Sequence, residues 1–164
     1  MGAAILSNRV DYVRATDPGT MRRAKATPGM VGADYYQSVI YGTYMNNKKK
    51  PLNDAQVRRA LHLAIDKAVL VDVIKDVAPH MVGGFIYPFS EFATPKDHLL
   101  KRLGYQPDPT AAIKEAKALM AAAGYANGAK GLDYLVRDVA SFKLMAQAVQ
   151  AMLKETLNEP THGG

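Results

Sequence analysis

An α/β fold is what this 164-residue sequence predicts, and three observations carry it. Runs rich in tyrosine, valine and threonine, Tyr35 to Met45 and Leu132 to Val136, favour extended backbone. Runs that begin at Asp54, Asp108 and Ser141 set apolar residues three and four apart, the spacing of an amphipathic helix. The two kinds of segment alternate at crossover length without repeats or low-complexity tracts, the order expected when helices connect strands.

The chain opens on helix-favouring residues, Ala3 to Ser7. It passes into Val10-Asp11-Tyr12-Val13-Arg14-Ala15, whose alternation predicts a strand over 10–15. Asp17-Pro18 offers a cap followed by proline at the first helical position, so a short helix runs through Lys25 until Pro28-Gly29 ends it. The strand over 35–45 holds Gly42 in its interior. A missing side chain there marks a bulge or the close approach of a ligand or another chain.

Asn46 to Asn53 is a loop of turn residues with Pro51. Asn53 or Asp54 can then cap a helix over 54–66, with Val57, Leu61, Ala64 and Ile65 on one face and Arg58, Arg59 and His62 mostly off it. A second helix over 67–76 carries Val69, Leu70, Val73 and Ile74. Pro79 to Pro95 has no periodicity and is too aromatic for a linker, so it reads as a long ordered loop. Asp108-Pro109 opens a helix over 108–123, striped by Ile113, Ala116, Leu119 and Met120 and closed by Gly124 in the left-handed conformation. A strand over 132–137 and a helix over 140–157, capped by Ser141, complete the body, and Glu159 to Gly164 forms a frayed end. Val57, Leu61, Ile65, Leu119 and Leu153 lie on the apolar stripes and are the expected core.

Composition excludes several functions. Hydrophobic residues at 48% and charged residues at 22% describe an ordinary globular chain, so global disorder is excluded. Without cysteine there is no disulfide, thiol nucleophile or thiolate metal site. No apolar stretch approaches the roughly 20 residues of a membrane helix, since Asp72 breaks even the run from Ala68 to Ile74. The N-terminus lacks a basic region followed by an apolar core, so either the protein is cytoplasmic or its export signal lies outside this sequence. The net charge is +6, from 21 Lys and Arg against 15 Asp and Glu. Its densest run, Lys48-Lys49-Lys50, sits among turn residues and reads as a solvated loop; elsewhere bases and acids interleave, unlike the single stripe of a nucleic-acid binder.

The chemistry-bearing residues form no catalytic constellation. His62, His80, His98 and His162 lack metal-ligand spacing. Ser7, Ser38, Ser90 and Ser141 lie in no nucleophile elbow, and no glycine-rich phosphate loop is present. Asp54 and Asp108 are explained by capping. A binding role is therefore favoured over an enzyme. The tyrosines of the 35–45 strand allow two readings: core filling, or an aromatic wall of a ligand cleft in which each ring supplies apolar area and a hydroxyl.

The stretch Tyr44-Met45-Asn46-Asn47, then Pro51-Leu52-Asn53-Asp54-Ala55-Gln56-Val57-Arg58-Arg59-Ala60-Leu61, then Ala64-Ile65-Asp66-Lys67, resembles the family 5 extracellular solute-binding proteins of bacterial ABC importers, which carry oligopeptides, dipeptides or nickel. Gly83-Gly84-Phe85-Ile86-Tyr87-Pro88 is similar to that family's glycine- and proline-rich loop. Asp108-Pro109 through Ala116-Lys117-Ala118-Leu119 to Ala123-Gly124-Tyr125 is similar to its Asp-Pro helix. Val10-Asp11-Tyr12 matches its first strand, with Asn8-Arg9 where Gly-Glu is usual.

The resemblance implies a fold like that of the type II periplasmic-binding proteins, mostly the second lobe and incomplete, because family members are about three times as long. It divides the chain into a hinge-proximal segment and crossing strand over 1–45, a second-lobe fragment over 46–158 and a disordered tail over 159–164. It implies a periplasmic binding protein without cofactor or metal, its signal peptide upstream of this fragment. Such a protein closes over a peptide or similar small solute and delivers it to ABC permease subunits. Gln37, Gly42, Tyr44 and Phe142 are its expected ligand contacts: Gly42 admits the ligand to the backbone, Tyr44 and Gln37 offer hydrogen bonds, and Phe142 supplies apolar contact. Apolar surface and strand edges left open by a fragment imply self-association. The alternative is a basic nucleic-acid- or protein-interaction module without catalysis.

Overall fold

The computed structural model describes residues 2–14, 18–33, 40–76, 78 and 80–157. Within them the order is α1 (Gly2–Leu6), α2 (Pro18–Ala26), α3 (Ala55–Ala64), α4 (Lys67–Ile74), α5 (Lys96–Leu99), α6 (Thr110–Ala122) and α7 (Ala140–Leu157).

Aspartate sets where three of these helices begin. The first backbone N–H groups of a helix have no partner inside it, and a short carboxylate can accept from them. Asp54 accepts from Gln56 N–H at 2.7 Å at the start of α3. Asp66 accepts from Ala68 N–H at 2.8 Å and Val69 N–H at 3.3 Å at the start of α4. Asp108 accepts from Thr110 N–H at 2.9 Å, while the Pro109 carbonyl accepts from Ile113 N–H, so α6 begins within two residues of the expected place. Gly124, at φ +84°, ends α6. Tyr125 N–H reaches back to the Met120 carbonyl and Gly124 N–H to that of Ala121, the paired bonds of a Schellman cap.

The core forms where the stripes of α3 and α6 meet. Val57, Ala60, Leu61, Leu63 and Ala64 pack with Ala112, Ala116 and Met120, and Leu157 of α7 closes the cluster. Alanine at 60, 64, 112 and 116 lets the two helix axes come close, since small residues at a crossing leave room for the neighbouring ridge. α7 also covers α4, and Asp66 N–H donates to the Met152 sulfur at 3.3 Å. Of the five expected core residues, Val57 and Leu61 are buried; Leu119 and Leu153 are partly buried against the cluster, and Ile65 is half-buried.

The sheet expected of an α/β fold is not found among the described residues, which contain no strand. Residues 10–14, 40–45 and 132–137 are irregular; residue 15 and 35–39 of those expected strands, with 159–164 of the expected tail, lie outside the described residues. A ladder needs two backbones about 4.8 Å apart. Here 40–46 and 132–137 meet through side chains, with the Thr43 and Tyr134 hydroxyls 3.0 Å apart. Two further corrections are local. Ser141 does not cap α7 but lies buried in its first turn, and the stretch after the 79–95 loop contains the short helix α5.

Candidate ligand-binding site

The segment 40–46 alternates. Tyr41 and Met45 turn towards the body, Met45 onto the α3–α6 core. Ile40, Gly42 and Tyr44 turn away, and Tyr44 is 98% exposed. A Cβ built on Gly42 would meet nothing within 4 Å, so that backbone is open to an approaching group. The outward strip thus offers apolar area, one phenol and bare backbone.

Tyr41 fixes the strip. Its ring meets His80 edge-on, with centroids 4.6 Å apart, and Phe142 at 5.1 Å. Its hydroxyl shares a 3.3 Å hydrogen bond with that of Ser141. The Arg137 guanidinium lies 5.7 Å from the centre of the Phe142 ring. Farther along, Lys49 reaches Asp133 at 3.9 Å. One tyrosine therefore ties the segment to the loop around residue 80 and to the start of α7.

Of the four expected ligand contacts, Gln37 lies outside the described residues, and Gly42 and Tyr44 share the open strip. Phe142 is in the first turn of α7, with its ring against that of Tyr41. Tyr41, His80 and Ser141 are the residues that sequence reasoning passed over. The two-residue alternation that pairs Gly42 with Tyr44 also sets Tyr41 on the other face, so Tyr41 was within reach; His80, 39 positions away in an aperiodic loop, was not.

A second polar cluster lies where α3 meets α4. Lys67 Nζ donates to the carbonyls of His62 at 3.0 Å and Ile65 at 3.1 Å, capping the C-terminal end of α3, and stands 4.9 Å above the Tyr105 ring. Burial pushes its ammonium down to about 8, with Asp66 pulling the other way. Burial first, then the charges of Lys67 and Arg59, also hold the His62 imidazole below its ordinary value. Other lysines form surface pairs, Lys75 with Asp72 at 2.7 Å and Lys143 with Asp138. Among the described residues no group of three His, Cys, Asp or Glu could hold a metal, and no helix is long and apolar enough to cross a membrane.

Comparison with known proteins decides the family. The model of the bacterial extracellular solute-binding proteins, family 5 Middle, matches residues 1–158. The chain belongs to this family. The family carries the type II periplasmic-binding-protein fold and consists of binding proteins. The periplasmic oligopeptide-binding protein OppA of Salmonella typhimurium (strain LT2) is 30% identical over 134 residues, 81% of this chain and 24% of that protein. Those of Haemophilus influenzae and Escherichia coli K12 are 31% identical over 105 residues and 33% over 101, each match covering 62% of this chain. The matches span 18% of either protein. The chain thus spans a quarter or less of these relatives' length. No solved structure matches significantly.

Proposed function

We propose that this family 5 chain forms one wall of the cleft of a periplasmic oligopeptide-binding protein that delivers peptides to an ABC permease. The observation that carries the proposal is the match over residues 1–158 to a solute-binding family, in which the relatives are named for oligopeptide binding. Affinity in such a protein comes from closing two lobes over the ligand, which buries it and satisfies its polar groups. Residues 46–158 then belong to the second lobe and 1–45 to the hinge side.

Gln37, Gly42 and Tyr44 form the ligand face, with Gly42 admitting peptide backbone and Tyr44 stacking or donating its hydroxyl. Phe142 serves the same face by holding Tyr41, which sets the direction in which Tyr44 points. One wall alone buries little of a peptide, so the chain by itself binds weakly, and its open apolar strip also favours self-association at high concentration. Light scattering that finds a strict monomer at all concentrations rejects that last point.

Calorimetry on the gene product that carries this segment tests the reading. Tripeptides to pentapeptides are titrated into the unaltered protein and into Tyr44→Ala. The expected result is peptide binding that Tyr44→Ala weakens by about tenfold or more, the loss of one aromatic contact, with little change in the melting temperature of the unliganded protein. Unchanged affinity with a lower melting temperature makes Tyr44 structural. Binding of metal chelates or sugars but not peptides removes the peptide assignment.

A further inference from the structure

The corner between α3 and α4 contains a cation that the ligand face does not use. Lys67 Nζ is half-buried, and among the described residues no carboxylate stands within ion-pair distance of it. The nearest acid in sequence, Asp66, is committed to the N–H groups of Ala68 and Val69. Lys67 is covered from the other side by the loop 100–107. Tyr105 lies under Nζ and 5.8 Å from the His62 ring. Gly104, at φ +86°, comes so near that a Cβ there would sit 3.6 Å from Nζ, 3.7 Å from His62 Nε2 and 3.1 Å from Leu63. The loop is also held by Leu103 against the core and by the bonds from Leu100 N–H to the Lys96 carbonyl, Arg102 N–H to that of Leu99 and Tyr105 N–H to that of Arg102.

Covering a cation without an anion is unfavourable, because two carbonyls and an aromatic ring replace only part of its hydration. The same groups serve a neutral amine without that desolvation. The bases nearby supply no anion to hold the charge: His62 on α3 is disfavoured as a cation by Lys67 and Arg59, and Lys101 and Arg102 on the loop are exposed. Asp66 favours the ammonium but is already hydrogen-bonded.

We infer that closure of the 100–107 loop onto the α3–α4 corner is linked to release of a proton from Lys67. The loop sits more loosely over the ammonium and more firmly over the neutral amine. The sign follows from linkage. An open loop returns Lys67 to water and an ordinary lysine affinity for the proton, so the open state binds protons more strongly and rising pH favours closure. The window begins near the lowered value of about 8 and ends at the ordinary lysine range, about 10.4.

Hydrogen exchange at Gly104 and Tyr105, corrected for intrinsic rate, reads the opening from about pH 7 to about 9.5, with Val57 and Met120 amides reporting the rest of the body. In the unaltered chain opening at 104 and 105 falls by about tenfold or more across this range, since each unit of difference in affinity is worth a factor of ten. Lys67→Met, which keeps the apolar stem without the charge, shows the firm state throughout. Lys67→Arg, which stays charged, shows no tightening. Opening that is constant with pH in the unaltered chain, or that tightens equally in Lys67→Arg, overturns the inference. If either variant also loses protection at Val57 and Met120, the side-chain NMR titration of Lys67 and Tyr105 in the unaltered chain decides: a common midpoint supports the linkage, and independent midpoints reject it.

Discussion

Two helix pairs in this chain meet in different ways. α3 and α6 press apolar stripes together, bury Val57 and Ala116 completely and draw in α7. α1 and α2 also pack on each other, but α1 has no buried residue, and their close approach runs through Gly2 and the side chain of Thr20. α1 has five residues and α2 nine, short for helices that must persist without a core, whereas α3 has ten and α6 thirteen. Stability follows buried apolar area, which α3 and α6 supply and α1 lacks.

That contrast is open to direct attack. The largest effect belongs to Leu61→Ala. Leu61 is 8% exposed in the middle of the α3–α6 contact, so its truncation costs about 2–5 kcal/mol, read by denaturant unfolding. Ile5→Ala in α1 should leave the midpoint of that transition within about 0.5 kcal/mol of the unaltered chain; an equal loss at both positions would mean that the two pairs unfold as one unit. Next in size is Asp66→Ala, which leaves two N–H groups of α4 without their acceptor and costs about 1 kcal/mol.

The smallest effect is electrostatic. Hydrogen bonds from the Thr110 hydroxyl and N–H hold the Asp108 carboxyl below the usual range. Its contribution is complete above the ordinary aspartate value and disappears as pH falls through the lowered one. Asp108→Ala should therefore differ from the unaltered chain in melting temperature near pH 6, with the gap closing towards about pH 2.5. A gap that persists at the acid end would assign the effect to something other than this carboxylate.

Helices were the legible part of this sequence because their signals are local. The Asp54 and Asp108 caps, the Gly124 stop and the three-to-four spacing of Val57, Leu61 and Ala64 are set within one or two turns of chain. Strand assignments rested on residue preference and short alternation, and tyrosine-rich runs such as 40–45 form strands only where another backbone comes within pairing distance. The candidate strip was legible only in part for the same reason. Alternation along 40–46 is local, and Gly42 and Tyr44 are both exposed there. The position of Phe142, a hundred residues onward, depends on how α7 docks, and it docks with Phe142 against Tyr41.

The central claim is that the outward strip of 40–46 meets ligand while Tyr41 and the α3–α6 core serve to hold it in place. Chemical-shift mapping of the chain during titration with a tetrapeptide tests it most directly, because it registers even the weak binding expected of a single wall. The account predicts concentration-dependent shifts at Ile40, Gly42 and Tyr44, smaller ones at Tyr41 and Phe142, and none at Val57, Ala116 or Met120. Shifts confined to the Lys48-Lys49-Lys50 loop, or an unresponsive 40–46 segment at saturating peptide, would contradict it.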